Sequence, residues 1–175
     1  MIENIIFRGK MDTGTWVQGS LYTLTQPTLK TYILSQTLFD GLRIEVLPST
    51  VGVFTGFYDD TKFIELSSEE QTKFLVNNTR EHWKGLPIFT GDIIEFEDCG
   101  EDDYGEGFDF INRAEVIYDN GKLTLGKVLC SDNSAVVNDL ADMAYFDEFL
   151  SLLSNSKVIG NIYDYPDLLK MEYLK

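Results

Sequence analysis

An Asn-Gly turn between two β-rich runs is the feature that most constrains the fold of this chain. The runs cover residues 114–118 and 122–125, and Asp119-Asn120-Gly121 separates them. Asn and Gly tolerate the positive φ angles of a tight primed turn. The pattern therefore predicts that the two runs form strands and pair antiparallel in a hairpin.

Strand signals dominate much of the remaining sequence. Residues 42–46 alternate apolar and polar side chains strictly, which is the period-two pattern of a half-buried strand. Residues 5–7, 16–24, 50–57 and 92–96 are predicted strands on similar grounds, because they are rich in aliphatic and aromatic side chains. Short strands separated by Gly and Asn turns are typical of a small barrel or a sandwich.

Two segments predict helices. Ser67 and Glu70 have the spacing of a capping box, which favours a helix over residues 67–84 that ends before Gly85. A second helix is predicted over residues 138–153, because its apolar side chains recur every three or four positions. These side chains are Leu140, Met143, Phe146, Leu150 and Leu153. The predicted fold is mainly β with two helices (α+β by content), in a single domain of residues 1–175 with the first helix inserted between strands.

The charge of the chain excludes several functions. Of its 175 residues, 14 are Lys or Arg and 29 are Asp or Glu, which gives a net charge of −15. Sequence-independent binding to DNA or RNA depends on basic side chains that displace counterions from phosphates. Anionic membrane surfaces repel acidic proteins for the same electrostatic reason. We therefore expect neither direct nucleic-acid binding nor membrane association.

The compartment is predicted to be the cytoplasm. The first ten residues include Glu3 and lack the apolar core of a secretion signal. No stretch approaches the roughly 18 apolar residues that a membrane span needs. Cys99 and Cys130 are the two cysteines, and a reducing cytoplasm would keep them as free thiols.

No constellation of residues predicts catalysis, a cofactor or a metal. His82 is the sole histidine, and nothing in the sequence places a nucleophile beside it. Eight acids between Glu95 and Asp109 could in principle hold Ca²⁺, but a count from Asp98 lacks the Gly and Glu of an EF-hand loop. We interpret residues 97–109 as a solvated acidic loop. A hydrolase that uses a pair of carboxylates stays open as an alternative.

Five segments spread along nearly the whole chain carry a family resemblance. They are FRGK at 7–10, WVQGSL at 16–21, TVGVFTGFYD at 50–59, GLPIFTGDII at 85–94 and VIGNIYDYPDLL at 158–169. In this order and spacing they resemble the YopX family of bacteriophage and prophage proteins. The insertion at 61–84, with its predicted helix, and the long acidic stretch at 97–109 depart from the family pattern.

The resemblance implies a small SH3-like β-barrel and no assigned activity. It also implies structural roles for the residues of its motifs, including bends and close backbone approaches at the glycines. These residues are Gly9, Trp16, Gly52, Thr55, Gly56, Gly91, Asp92, Ile159, Gly160, Asn161, Tyr163, Pro166, Leu168 and Leu169. Catalytic, cofactor-binding and metal-binding residues are not among them, since the family offers none to transfer.

The predicted function is that of a non-enzymatic intracellular module which binds a host or phage protein. One alternative is an acidic decoy that imitates nucleic-acid phosphates and occupies a basic host protein. Another is self-association into a homo-oligomer through edge strands or the apolar C-terminal residues. The hydrolase is the third alternative.

Overall fold

The fold is mainly β, as predicted, and consists of two antiparallel sheets with short helical segments. The computed structural model describes residues 5–25, 29–35, 42–101, 104–130 and 152–170. The strands in chain order are β1 (Phe7–Lys10), β2 (Trp16–Leu24), β3 (Lys30–Ser35), β4 (Leu42–Val46), β5 (Gly52–Tyr58), β6 (Pro87–Phe89), β7 (Asp92–Glu101), β8 (Gly107–Asp119), β9 (Lys122–Cys130) and β10 (Lys157–Asn161).

The first sheet has six strands in the order β4-β3-β2-β1-β5-β6. Strands β2 and β4 have the bounds that the alternating sequence predicts, 16–24 and 42–46. Val17, Ile33, Ile44 and Val46 form a buried cluster on one side of this sheet. The other side carries the alternate side chains, as the period-two geometry of strands requires.

The second sheet has four strands in the order β10-β7-β8-β9. The predicted hairpin is confirmed: β8 pairs antiparallel with β9, and Asp119 lies opposite Lys122. Asn120 and Gly121 have φ angles of 48° and 79°, the left-handed values of a primed turn. The core of this sheet contains fully buried side chains from two of its strands, β7 and β8, and from elsewhere in the chain. They are Ile88, Ile94, Ala114, Val116 and Leu153.

The first predicted helix is real but shorter than residues 67–84. Helix α1 spans Ser68–Leu75 and begins with the predicted capping box. The Ser67 backbone N–H donates to the Glu70 carboxylate at 3.0 Å, and the Glu70 N–H donates to the Ser67 hydroxyl at 3.3 Å. Asn77, Asn78 and Thr79 follow, and these residue types favour local side-chain hydrogen bonds over helix continuation. A separate 3₁₀ turn covers Arg80–His82.

The second predicted helix falls largely outside the described residues. Positions 138–151 are not described, whereas residues 152–154 are helical. Leu153, the last apolar residue of the predicted stripe, is fully buried in the core of the second sheet. In the described part of the chain, no helix has both the length and the apolar character needed to cross a membrane.

The segment 97–109, predicted as an acidic loop, is largely a pair of strands. Strand β7 continues to Glu101, and β8 begins at Gly107. Cys99 lies opposite Asp109 on β8, and Cys130 lies opposite Asn112 on the other side of that strand. Two strand spacings of about 4.8 Å separate the two cysteine backbones, which exceeds the span of a disulfide of about 7 Å.

The chain divides into two compact units. The first unit contains Met1–Thr55 and Phe89–Gly91, and the second contains Gly56–Ile88 and Asp92–Lys175. The chain thus leaves the first unit after residue 55, returns to it for three residues, and leaves again. Within the first unit, the Val53 N–H donates to the Thr90 hydroxyl at 2.9 Å, and the Thr90 N–H donates to the Val53 carbonyl at 2.9 Å.

Candidate functional site

The net charge of the chain belongs entirely to the second unit. The sequence of the first unit contains four Lys or Arg residues and four Asp or Glu residues, so that its formal charge is zero. The second unit contains ten basic and twenty-five acidic residues, a difference of −15. Any long-range attraction of a basic partner therefore originates in the second unit.

A cavity of about 310 Å³ in the second unit collects several of these acids. We call it the acidic cleft. Its charged lining comprises the carboxylates of Asp60, Glu95 and Glu97 and the ammonium of Lys157. Glu95 and Glu97 lie on β7, and Lys157 opens the neighbouring β10. Arg113 and Lys62 pair with Glu95 and Asp60, and the exposed Glu97 is the acid of the lining outside those two pairs. A cationic group is therefore attracted at Glu97.

Two of the three acids of the cleft, Glu95 and Asp60, are in ion pairs. The sheet register puts Glu95 between Lys157 on β10 and Arg113 on β8. The Arg113 Nε donates to Glu95 at 2.8 Å, and this arginine side chain is only 15% exposed. Asp60 pairs with Lys62 beside the cleft. Each pair fixes a carboxylate in one orientation, as a preformed polar binding surface requires.

Two glutamates outside the cleft have lowered pKa values. The Lys62 backbone N–H donates to Glu65 at 2.8 Å and is the main cause of the lowered pKa of this carboxyl. The Lys157 ammonium, at 3.0 Å from the carboxylate, lowers this pKa further. The same contact with Glu65 raises the pKa of Lys157. The Ser67 hydroxyl and the Ser67 N–H lower the pKa of Glu70 in the capping box.

These lowered pKa values predict acid sensitivity. A carboxyl with a folded pKa below its unfolded value stabilises the fold above that unfolded value, and the contribution is lost as the pH falls through the folded pKa. We therefore expect the melting temperature to fall as the pH drops below about 4.5, the ordinary glutamate value. Melting curves from pH 7 to 3 test this. A Glu65→Gln and Glu70→Gln double variant should have a shallower decline, and Glu81→Gln is the matched exposed control. An unchanged decline in the double variant would contradict the assignment.

Asp59 is a buried polar residue of the second unit that no sequence pattern singled out. Its side chain is 3% exposed and accepts four hydrogen bonds. Oδ1 accepts from the N–H groups of Thr61 at 3.0 Å and Leu86 at 2.7 Å. Oδ2 accepts from the Thr61 hydroxyl at 2.8 Å and the Val158 N–H at 2.9 Å. Asp59 therefore ties together three segments that are distant in sequence.

The spacing of Asp59 and Thr61 contains a signal for this arrangement. An Asp whose side chain bonds the backbone two residues later forms an Asx turn. The long-range partners, Leu86 and Val158, have no such signature because their contribution is a backbone N–H, which every non-proline residue has.

Gly9, Trp16 and Gly52, motif residues near the N-terminus, have packing roles in the first unit. A Cβ on Gly9 would lie 2.8 Å from a methyl of Val46, and one on Gly52 would lie 2.4 Å from the Thr90 carbonyl oxygen. Trp16 receives the guanidinium of Arg8 over its ring at 4.9 Å. Thr55 and Gly56 follow on β5, and Gly91 has a φ of 84° in the turn between β6 and β7.

The motif residues near the C-terminus form a turn at the end of β10. The Asn161 Oδ1 accepts from the N–H groups of Tyr163 at 3.0 Å and Asp164 at 2.9 Å. Asn161 lies opposite Asp92, which is 1% exposed, in the pairing of β10 with β7. Ile159 and Gly160 precede Asn161 on β10, and a Cβ on Gly160 would lie 2.9 Å from Leu168. A 3₁₀ turn, Pro166–Leu169, contains the remaining motif residues.

The remaining residues considered for chemistry are dispersed. His82 is exposed, and its Nδ1 lies 3.0 Å from the Thr79 hydroxyl in the capping box of a 3₁₀ turn. Over the described ranges, no group of three or more His, Cys, Asp or Glu side chains is placed to hold a metal ion. The structure thus brings the motif residues together in two groups, one in each unit, and neither group contains the acidic cleft.

Comparisons of the chain with protein-family models, with curated proteins and with solved structures gave no match.

Proposed function

We propose that this chain is a non-enzymatic protein-interaction module of the bacterial cytoplasm, a YopX-like protein encoded by a phage or prophage. The sequence motifs support the origin, and a small SH3-like barrel is part of this proposal. The observation that carries the function is the partition of charge. A neutral unit and a unit of −15 in one chain confine the acidic charge to one unit, which a basic partner would recognise.

The acidic cleft supports a partner with exposed lysine or arginine side chains. Its exposed Glu97 attracts a cationic group, and the ion pair with the largely buried Arg113 holds the neighbouring Glu95 in place. The partner on this view is a host or phage protein with a basic surface.

The acidic decoy is the second candidate, and the same partition of charge favours it. A decoy differs from an ordinary module in one respect: its partner uses the contacted surface to bind nucleic acid. Competition between this protein and DNA for the captured partner separates the two. Displacement of DNA supports the decoy, and a ternary complex with DNA supports the ordinary module.

Affinity capture from a bacterial host lysate at about 0.1 M and about 0.5 M salt tests the proposal, because salt screens attraction between exposed charges. We expect a basic protein that is retained at the lower salt and lost at the higher. An Asp60→Asn and Glu97→Gln double variant of the cleft should reduce its recovery about tenfold.

The first unit offers a matched control for this variant. It has a cavity of about 320 Å³ that includes Asp12 and Glu45 in its lining. An Asp12→Asn and Glu45→Gln double variant removes the same two charges from a cavity of similar size. Equal loss of the partner in both variants, or retention in both, would contradict a role for the cleft.

A further inference from the structure

The first unit has no net charge, but its basic side chains all lie on one face of its sheet. The register places four cationic side chains on the side opposite the buried cluster. They are Arg8 and Lys10 on β1, Lys30 on β3 and Arg43 on β4. They are all the basic residues that this unit has. We call this side of the sheet the basic face.

Aromatic side chains lie on the same face as these cations. Trp16 lies opposite Lys10, and Tyr22 lies opposite Tyr32, in both cases on neighbouring strands. The two tyrosine ring centroids are 6.4 Å apart. The Arg43 guanidinium lies over the Tyr22 ring at 4.8 Å, which confirms that the β4 cation and the β2 ring share this face.

The face is accessible, and two acids, Asp12 and Glu45, line a cavity together with its Lys30. Arg43 is exposed, and Trp16, Tyr22 and Tyr32 are half-buried. Among the described residues of the unit, Glu45 is the one acid that the register puts on this face, and it pairs with Lys30 at 2.9 Å. The nine residues of β2 give the face a length of about 27 Å, at about 3.4 Å for each residue step.

We propose that the basic face binds single-stranded nucleic acid. Sheet surfaces that combine cations with exposed aromatic rings bind single strands, since bases stack on the rings and phosphates contact the cations. An acidic protein would also contact the cations, but it lacks the succession of planar bases that stack on such rings. At about 0.1 M salt the charges within about 10 Å of a bound phosphate act on it most strongly, and on the face itself the register places four cations and Glu45.

This inference is independent of the proposed function, which rests on the second unit. It replaces the expectation of no direct nucleic-acid binding, which was derived from the charge of the whole chain. That average combines a unit with twenty-five acids and a face with four cations, and it hides the local positive potential of that face.

Fluorescence anisotropy with a labelled oligothymidylate of about 12 nucleotides tests the proposal on the full chain, with salt raised from about 0.1 to 0.4 M. We expect salt-sensitive binding to the single strand and weaker binding to a duplex of equal length. A Lys10→Gln and Arg43→Gln double variant should weaken binding at least tenfold. It should also reduce the slope of log affinity against log salt by about 1.4, since each lost phosphate contact removes about 0.7 for a single strand.

The stacking contribution has its own variants. Tyr32→Ala should weaken binding about tenfold, which is within the usual range for one stacked base. Tyr32→Phe retains the ring and should bind like the unchanged protein. Lys73→Gln with Lys122→Gln removes two exposed cations from the second unit and is the charge-matched control. Circular dichroism and melting curves verify that each variant is folded.

Three results would overturn the proposal. The first is absence of binding at about 0.1 M salt with the protein at about 100 μM. The second is equal weakening by the face variant and its charge-matched control. The third is displacement of the oligonucleotide by a polyglutamate peptide of equal charge, together with unchanged binding by Tyr32→Ala. That combination would assign the face to an acidic protein instead.

Discussion

Asp59→Asn should lower the free energy of unfolding by about 3 kcal/mol. Both carboxylate oxygens of Asp59 accept hydrogen bonds, two at Oδ1 and two at Oδ2. An asparagine has one oxygen and one NH₂ group, and either orientation of the amide points this NH₂ at a backbone N–H. The substitution therefore removes two accepted bonds and places donors against donors in a site that is 3% exposed.

Urea unfolding followed by tryptophan fluorescence measures this loss. Trp83 reports on the site directly, because its indole N–H donates to the Thr61 carbonyl at 2.7 Å. Asp60→Asn is the matched control: it neutralises the adjacent carboxyl, whose side chain is 44% exposed, and should cost less than about 0.5 kcal/mol. Similar losses for both variants would show that Asp59 has no special structural role.

Gly85→Ala is the second substitution with a large expected effect, about 3 kcal/mol or more. Gly85 has a φ of 111°, which L-residues with a Cβ rarely adopt, and a Cβ there would lie 2.0 Å from the Asp59 carbonyl oxygen. The backbone must move to remove this contact. Such a movement would strain the hydrogen bonds between Asp59 and Leu86, the residue that follows Gly85.

Gly56→Ala separates the two components of that cost. Gly56 also has a positive φ, 88°, but a Cβ there would have no atom within 4 Å. This variant should lose about 1 to 2 kcal/mol from backbone conformation alone. The same unfolding measurement applies to both variants. If Gly85→Ala lost no more stability than Gly56→Ala, the backbone would be moving away from the Asp59 carbonyl oxygen at no cost. That result would contradict the proposed effect of the contact.

Local patterns predicted the parts of the fold that depend on neighbouring residues. The primed turn at Asn120-Gly121, the capping box of Ser67 and Glu70, and the alternating strand at 42–46 are all present. Each depends on side chains within a few positions of one another, so that a short window of sequence contains the whole interaction.

Interactions between distant residues were not predictable in this way. Strands β3, β6 and β10 were missed, and β8 is more than twice the length of its predicted core at 114–118. The pairing of β7 with β8 extends the strands through an acidic stretch that local composition marks as a loop. Its backbone hydrogen bonds come from the register of the sheet, which outweighs the low strand propensity of Asp, Glu and Gly.

Charge shows the same limit for the candidate sites. Composition gave the total of −15 correctly, but the spatial distribution depends on which segments fold together. The acidic cleft needs Asp60, β7 and β10 side by side, and the basic face needs the register of β1 to β4. Neither follows from the spacing of these residues along the chain.

The three residues Phe89–Gly91 have a consequence for how this gene can be divided. They belong to the first unit, yet they are encoded 33 residues after the rest of it, beyond a segment of the second unit. A gene fragment that stops at residue 55 would lack Thr90, whose hydroxyl and backbone bond Val53. Neither unit is one uninterrupted stretch of sequence, so no single cut separates the neutral unit from the acidic one.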